Sequence, residues 1–421
     1  MSETPYQALS VDTLPQRLGA TLRDRLGSPP ESWRVREVGD GNLNLVFIVE
    51  GEHGGVVVKQ ALPYVRLVGE SWPLPLKRSF FEYHALMRQE ARDPGRVPKI
   101  YHFDEQQALV VMEYLHPHVI LRRSLIAGVV HADLGEQLGR FLARTLFRGS
   151  DLSMPTSERK ADLALFADNV ALCDITEALV FTDPYWAAPL NRHTSPELDG
   201  LVAELRADVD LKIAAQDLKL TFCAHAETLL HGDFHTGSIM AHGAQARVID
   251  PEFAVYGPFG FDVGMLIANF WMAYFAQGGH ERFPGERDEY REWILGVAVT
   301  IWREFVAEFS RLWRTERTGI LYPRALYEDQ GHSLGAEQAL GALLHRVWED
   351  ALGFAGVELH RRILGLAHIA EFETIADPAR RAPCEAKALK LGRMLAVARN
   401  SLSDLAEIHA IARRLERGEI G

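Results

Sequence analysis

The chain is short of cysteine, of positive charge and of long uninterrupted apolar runs, and each shortage removes a class of protein. Its three cysteines, Cys173, Cys223 and Cys384, are scattered and odd in number. That excludes a disulfide framework and a paired-cysteine zinc site. A formal net charge of −12 leaves no basic footprint for general nucleic-acid binding, although a single cleft can still be locally basic. The most apolar window, residues 254–275, is interrupted by Pro258, Asp262 and three glycines. It reads as a buried segment rather than a membrane span. The opening Met-Ser-Glu-Thr-Pro-Tyr lacks a basic region followed by an apolar core, so no secretory signal is expected. Repeats and low-complexity tracts are missing too. What remains is a soluble, cytoplasmic chain of 421 residues, 47% hydrophobic and 24% charged, long enough for roughly two to three domains.

Acidic chemistry concentrates between Leu229 and Glu252. The stretch reads Leu-Leu-His-Gly-Asp-Phe-His-Thr-Gly-Ser and, after a polar turn, Arg-Val-Ile-Asp-Pro-Glu. Two short apolar runs each deliver an acidic residue at their C-terminal end, Asp233 and Asp250, separated by the length of a hairpin-like excursion. Phosphoryl transfer needs one carboxylate to orient an attacking hydroxyl and others to hold the Mg²⁺ that neutralises the phosphates. Either aspartate alone is explained by turn capping. The pair, with His231 and Glu252 in fixed register, favours a kinase.

Upstream, Leu14, Leu18 and Leu22 mark an amphipathic helix that ends before Pro30. Residues 33–50 then read as strand, glycine turn, strand, and Gly55-Val-Val-Val-Lys-Gln as a third strand carrying Lys59. The turn Gly39-Asp40-Gly41-Asn42-Leu43-Asn44 fits an ordinary hairpin, or a phosphate lid in which Asn42 and Asn44 act as donors where a third glycine is missing. A lysine on the third strand is where protein kinases hold the α- and β-phosphates, and Glu82 on the next helix sits where its partner is needed. An exposed helical glutamate is the plainer account of Glu82. Residues 66–76 read as an irregular loop with two prolines, and residues 97–104 and 108–115 as two more strands. Backbone groups near Glu113 and Leu115 would then face the adenine edge. The predicted architecture is α+β and bilobal, like a protein kinase. Residues 1–115 form a small β-rich lobe of five strands and one helix, and residues 116–421 a larger, mainly helical lobe.

In that second lobe Leu134, Leu138, Leu142 and Leu146 are core. Asp262 would brace the catalytic turn by accepting backbone N–H bonds. Arg361 and Arg362, on an apolar helix after a glycine-rich start, are expensive to bury without an anion, unless they lie on a solvated helix edge. Residues 386–416 read as one long amphipathic helix.

These residues carry a resemblance over nearly the whole chain. The stretches His231-Gly-Asp-Phe-His-Thr-Gly-Ser, Val248-Ile-Asp-Pro-Glu-Phe-Ala and Tyr256-Gly-Pro-Phe-Gly-Phe-Asp-Val-Gly resemble the methylthioribose kinases, which share the fold of aminoglycoside phosphotransferases and protein kinases. Asp40-Gly-Asn-Leu-Asn, Val68-Gly-Glu-Ser-Trp-Pro-Leu and Arg361-Arg362-Ile-Leu-Gly-Leu-Ala-His add to it. Kinases of this fold usually end the catalytic loop with a metal-binding Asn, and here Ser238 stands in that place. The resemblance implies that Glu252 supplies the missing ligand, so that Asp250 and Glu252 together hold Mg²⁺. It implies that Asp233 orients the C1 hydroxyl of 5-methylthioribose toward the γ-phosphate of ATP. It also implies that Arg361 and Arg362 close on the substrate and the transferring group, that Trp72 belongs to a substrate-side lid, and that the protein is a homodimer. A surface role for Trp72 stays open. Two other functions remain: another small-molecule phosphotransferase of this fold, acting on an aminoglycoside, choline or a sugar, and a catalytically dead nucleotide-binding scaffold. The twin arginines argue against a polycationic substrate, and intact Lys59, Asp233, Asp250 and Glu252 argue against the scaffold.

Overall fold

The computed structural model describes residues 5–39, 43–65 and 69–420. Helix α1 (Leu14–Leu26) lies over a five-stranded antiparallel sheet, with Leu14, Leu18, Leu22 and Leu26 buried against it. The strands are β1 (Arg34–Glu37), β2 (Asn44–Gly51), β3 (Gly54–Ala61), β6 (Ile100–Asp104) and β7 (Leu109–Glu113), in spatial order β1-β2-β3-β7-β6. Strand alternation divides the labour of the two faces. Phe47, Val49, Val56, Val58, Leu109 and Val111 meet α1, while Val57, Val110 and Met112 join the core on the other side. Lys59 has the parity of Val57, which turns its amine toward α2 (Arg78–Arg92).

Between β3 and α2 the sequence suggests an irregular loop. The structure instead has a two-stranded ribbon there, β4 (Tyr64–Val65) with β5 (Gly69–Pro73). Pro73 closes β5 and Pro75 falls beyond it, so neither proline sits in a ladder interior. Asp40, Gly41 and Asn42 at the expected phosphate turn, and residues 66–68, lie outside the described residues.

The remainder is mostly helical. Strand β8 (Val119–Ile120) leads into α3 (Leu121–Ala127), α4 (Leu134–Arg148), α5 (Thr156–Phe166), α6 (Val170–Leu179), α7 (Asp199–Ala207) and α8 (Val209–Ala224). Four short strands follow: β9 (Thr228–Leu229), β10 (Ile239–His242), β11 (Gln245–Val248) and β12 (Tyr256–Gly257). β10 pairs with both β11 and β8, and β12 pairs with β9. Then come α9 (Gly260–His280), α10 (Asp288–Thr315), α11 (Ser333–Leu364), α12 (Ala370–Glu373), α13 (Pro378–Ala398) and α14 (Leu405–Glu416). Helix α9 is buried on all sides, as expected of a helix that is apolar all round. Leu134, Leu138, Leu142 and Leu146 on α4 are likewise core. Among the described residues no helix is long and apolar enough to cross a membrane.

Two sequence expectations need correction. The C-terminal region is two helices rather than one, because Asp404 caps a new start by accepting the Glu407 amide (2.9 Å). Arg361 and Arg362 occupy the last turn of the 32-residue α11 rather than following a helix start, and both are buried.

Helices α9 and α11 touch where Gly264 has no side chain. A Cβ there would fall against the Ala351 carbonyl oxygen, with the Ala355 nitrogen at 3.0 Å. Alanine at a helical glycine gains up to about 1 kcal/mol of helix propensity. The atoms it would meet are backbone and cannot rotate aside, so overpacking of about 1–3 kcal/mol prevails. Gly264→Ala is expected to lower the thermal midpoint, and a raised midpoint in a melting experiment would contradict this helix contact.

Candidate active site

The catalytic turn is assembled from its backbone outward. Asp262, in the first turn of α9, accepts the amides of His231 (2.7 Å) and Gly232 (3.1 Å). This is the bracing that the sequence suggests for a buried aspartate. Gly232 sits at φ +85°, and a Cβ would strike the Phe253 carbonyl, so the turn needs glycine. His231 Nε2 pairs with the Ile249 carbonyl (2.9 Å). Asn169 Nδ2 donates to the carbonyls of Glu252 (2.9 Å) and Ala254 (3.0 Å). The two acidic segments are thereby tied together. Asp250 itself lies in the left-handed region at φ +70°, a conformation that aspartate tolerates better than most residues.

Asp233 projects from this turn into a ring of donors. Its Oδ1 accepts Arg361 Nη1 (3.3 Å) and Arg362 Nη2 (3.0 Å), and its Oδ2 faces His235 Nε2 at 3.2 Å. His235 Nδ1 accepts the amides of Gly237 (2.9 Å) and Ser238 (3.1 Å), so the ring proton resides on Nε2 and points at Asp233. Burial works to raise the Asp233 carboxyl, but His235, Arg361 and Arg362 together hold it well below the usual carboxylate range. Behind the arginines, Glu358 accepts Arg362 Nε (2.6 Å) and Arg361 Nη1 (3.2 Å). Three of a carboxylate's roughly four acceptor positions are occupied on Asp233, which leaves room for one incoming hydroxyl.

The second cluster gathers around Lys59. Its Nζ donates to Glu82 Oε1 (2.9 Å) and to Asp250 Oδ1, so the helical glutamate is the partner of the strand lysine. Against desolvation, the carboxylates of Asp250, Glu82 and Glu252 raise the Lys59 pKa and keep it charged. Glu252 is buried. Its two oxygens take Asn44 Nδ2 at 3.1 Å each, and Arg78 Nε lies 3.3 Å away. Asn44 Oδ1 in turn accepts Arg78 Nε and Nη2 (3.2 and 3.1 Å). Asn44, expected to donate to a phosphate, is committed to positioning Glu252 instead. Glu82, Asp250 and Glu252 each bring an oxygen within 4.8 Å of the others. Burial pushes the Glu82 and Glu252 carboxyls upward. Two cations face three carboxylates here, and hard oxygen donors with residual negative charge suit a divalent cation such as Mg²⁺.

The remaining expected residues lie around these clusters. Glu113 ends β7, and its Oε2 accepts Arg247 Nη2 (2.7 Å) and the Lys99 amide (3.1 Å). Leu115 is buried two residues on. Trp72 on β5 is half-buried in a cluster with Val65, Leu74, Leu172, Phe253 and Leu366. Its Leu366 neighbour belongs to the segment just after the twin arginines.

Several residues of the site escape a sequence reading. Arg78 looks like any helix-opening arginine. Glu358 stands three and four residues before the arginines, a helical spacing that puts all three on one face and could have disclosed it.

A lysine–glutamate pair beside buried metal-ready carboxylates, with a separate aspartate held by arginines, defines a phosphotransferase. The sequence model of the phosphotransferase enzyme family matches residues 34–293. Methylthioribose kinase of Escherichia coli is 46% identical over 93% of this chain and 94% of that protein. Methylthioribose kinase 1 of Oryza sativa subsp. japonica is 41% identical over 92% and 90%. The enzyme of a Geobacillus strain is 40% identical over 95% of each chain. The chain belongs to the phosphotransferase enzyme family and, within it, to the methylthioribose kinases.

Lys59 is the counter-charge of its cluster, and this has a pH signature. Its folded pKa lies above the unfolded value near 10.4, so its stabilisation is fully present and constant below that value. Glu82 and Glu252 have raised folded values, so stability falls as pH rises through their ionisation. Without Lys59 those values rise further and the fall continues to higher pH. The gap in thermal midpoint between wild type and Lys59→Met is expected to be wider at about pH 9 than at about pH 5. A gap that stays constant or narrows would contradict this placement.

Proposed function

We propose that the chain transfers the γ-phosphoryl group of ATP to the C1 hydroxyl of 5-methylthioribose, giving 5-methylthioribose 1-phosphate and ADP in methionine salvage. The observation that carries the reading is the fork of Arg361 and Arg362 on Asp233. It offers a sugar an ionised acceptor flanked by two permanent cations. In the reaction the C1 oxygen forms the new bond to phosphorus while the bond from the γ-phosphorus to the β,γ-bridging oxygen breaks, and the hydroxyl proton is released to solvent as the ester forms. The loose transition state needs positioning more than proton abstraction. A carboxylate held so far down is a weak proton sink, and Asp233 therefore acts by orienting the hydroxyl.

Arg361 and Arg362 then serve the sugar oxygens and the transferring group, for which planar, always-charged forks are suited. Lys59, fixed by Glu82, neutralises the α- and β-phosphates. Backbone groups at Glu113 and Leu115 take the adenine edge, and Trp72 closes the substrate side. Asp250 and Glu252 would hold Mg²⁺, with Asn44 and Arg78 fixing the second carboxylate. When bound, the ion supplies charge neutralisation between the phosphates. We read residues 1–115 and 116–421 as two lobes closing on the substrates, in a cytoplasmic homodimer that does not engage nucleic acid. The acidic balance of the chain and the kinship with the methylthioribose kinases support that reading.

The test is coupled ADP release with 5-methylthioribose, ribose and kanamycin, with and without Mg²⁺. Mg²⁺-dependent turnover of 5-methylthioribose is expected, falling about 10²-fold or more in Asp233→Asn as the hydroxyl loses its orientation. Turnover of kanamycin alone would assign a different substrate. No turnover with any of the three, despite ATP binding, would overturn the reading.

A further inference from the structure

A second group of metal-capable side chains lies apart from the catalytic carboxylates and shares no residue with them. His368 stands in the segment 365–369 that follows α11, Glu373 ends α12, and Glu385 is in the second turn of α13. One donor atom from each lies within 4.8 Å of the other two.

The histidine is already oriented for a cation. Its Nε2 faces the Arg192 carbonyl at 3.1 Å. A carbonyl can only accept, so the proton resides on Nε2 and the Nδ1 lone pair points away from it. That nitrogen looks at Glu373 Oε1, 3.2 Å distant. A lone pair against a carboxylate is repulsive unless the ring takes a second proton or a cation joins the two. An Nε2–H bound to a backbone carbonyl is the arrangement that orients metal-ligating histidines. Two ligands at about 2.0–2.2 Å from one tetrahedral ion stand about 3.4 Å apart, close to the separation seen.

Glu385 is the independent sign. It is only 1% exposed, and neither carboxylate oxygen has a hydrogen-bond partner among the described residues. A buried carboxylate without a partner is costly. Burial pushes its carboxyl up, while Thr194, Arg381 and His368 pull the other way. Arg192 holds the outer oxygen of Glu373 at 2.9 Å, which leaves Oε1 turned toward His368. The Glu373 side chain is 33% exposed, giving a route from solvent.

We propose that His368, Glu373 and Glu385 form a second divalent-cation site, with the one-nitrogen, two-carboxylate donor set that suits zinc. Arg362 Nη1 donates to the Ala367 carbonyl (3.5 Å), one residue before His368. An ion here ties the segment after the twin arginines to α12 and α13, and so holds the outer end of the arginine fork.

The experiment uses the full chain, stripped with chelator and returned to millimolar Mg²⁺ so that the catalytic carboxylates are filled. Zn²⁺ is titrated by calorimetry, and melting is followed with and without it. One zinc equivalent is expected in wild type, bound at least about tenfold more weakly in His368→Ala and Glu385→Gln, with a zinc-dependent rise in melting temperature in wild type alone. Glu373→Gln, at a partly exposed position, gives the same zinc readout if a buried variant fails to fold. Equal zinc affinity in wild type and variants, or no zinc uptake in wild type, would overturn the proposal and leave a His368–Glu373 ion pair.

Discussion

The carboxylate of Asp262 is the fixed point from which the site is built. By accepting two successive amides at a turn that only glycine can complete, it stops the segment 231–233 from relaxing into solvent. A carboxylate buried on a central helix is tolerated because those donors replace lost water. Everything catalytic is referred to that turn. Asp233 projects from it, His231 reaches from it to the Ile249 carbonyl, and Ser238 hydrogen-bonds back to the Asp233 carbonyl (3.0 Å). The strand and helix supplying Lys59 and Glu82 come from the other end of the sequence; Phe81 and Ala85 of that helix pack with Leu229, Ala254 and Tyr256, and Lys59 meets Asp250 by charge.

That charge is divided unevenly, and the division assigns the work. Around Lys59, two cations face three buried or half-buried carboxylates, so negative charge is left over and burial works against it. Nearly all the polar atoms there already have partners. Asn44 shows the consequence: its amide is consumed in orienting Glu252, and Arg78 locks the amide in turn. A side chain held on both sides in this way is a positioning element, whatever its distance from a phosphate.

The motif between Leu229 and Glu252 could be read from the sequence because its residues act locally: a turn, a brace and two acids at fixed spacing. The five-stranded sheet was legible from alternation and glycine placement, and Lys59 from its strand. The Glu82 pairing was open, since helical periodicity places a glutamate on a face without saying what faces it. Arg78 left no trace, because a buried arginine at a helix start differs from an exposed one only through contacts 34 and 174 residues away in sequence, with Asn44 and Glu252. The ribbon at residues 64–73 was hidden by its prolines, which signal irregularity unless one knows that they fall at its edge. The split of the C-terminal helix turned on a single cap at Asp404, which the apolar periodicity running through residues 386–416 concealed.

The arginine cluster differs from the lysine cluster in balance. Arg361 and Arg362 face Asp233 and Glu358, two charges against two, and every close approach among them is a charge-assisted hydrogen bond. Such a quartet has no residual field to attract a metal ion. It can still admit a neutral polyol, whose hydroxyls donate to the remaining face of Asp233 and accept from the guanidinium edges without altering net charge. The lysine cluster is the opposite case, with surplus negative charge that a divalent cation relieves. The two sites therefore sort their ligands by charge before shape enters. In the proposed reaction a magnesium nucleotide would be drawn to the cluster around Lys59, and an uncharged sugar would fit the one around Asp233. In the proposed transfer the phosphoryl group would pass from the first toward the second, where Arg361 and Arg362 stand.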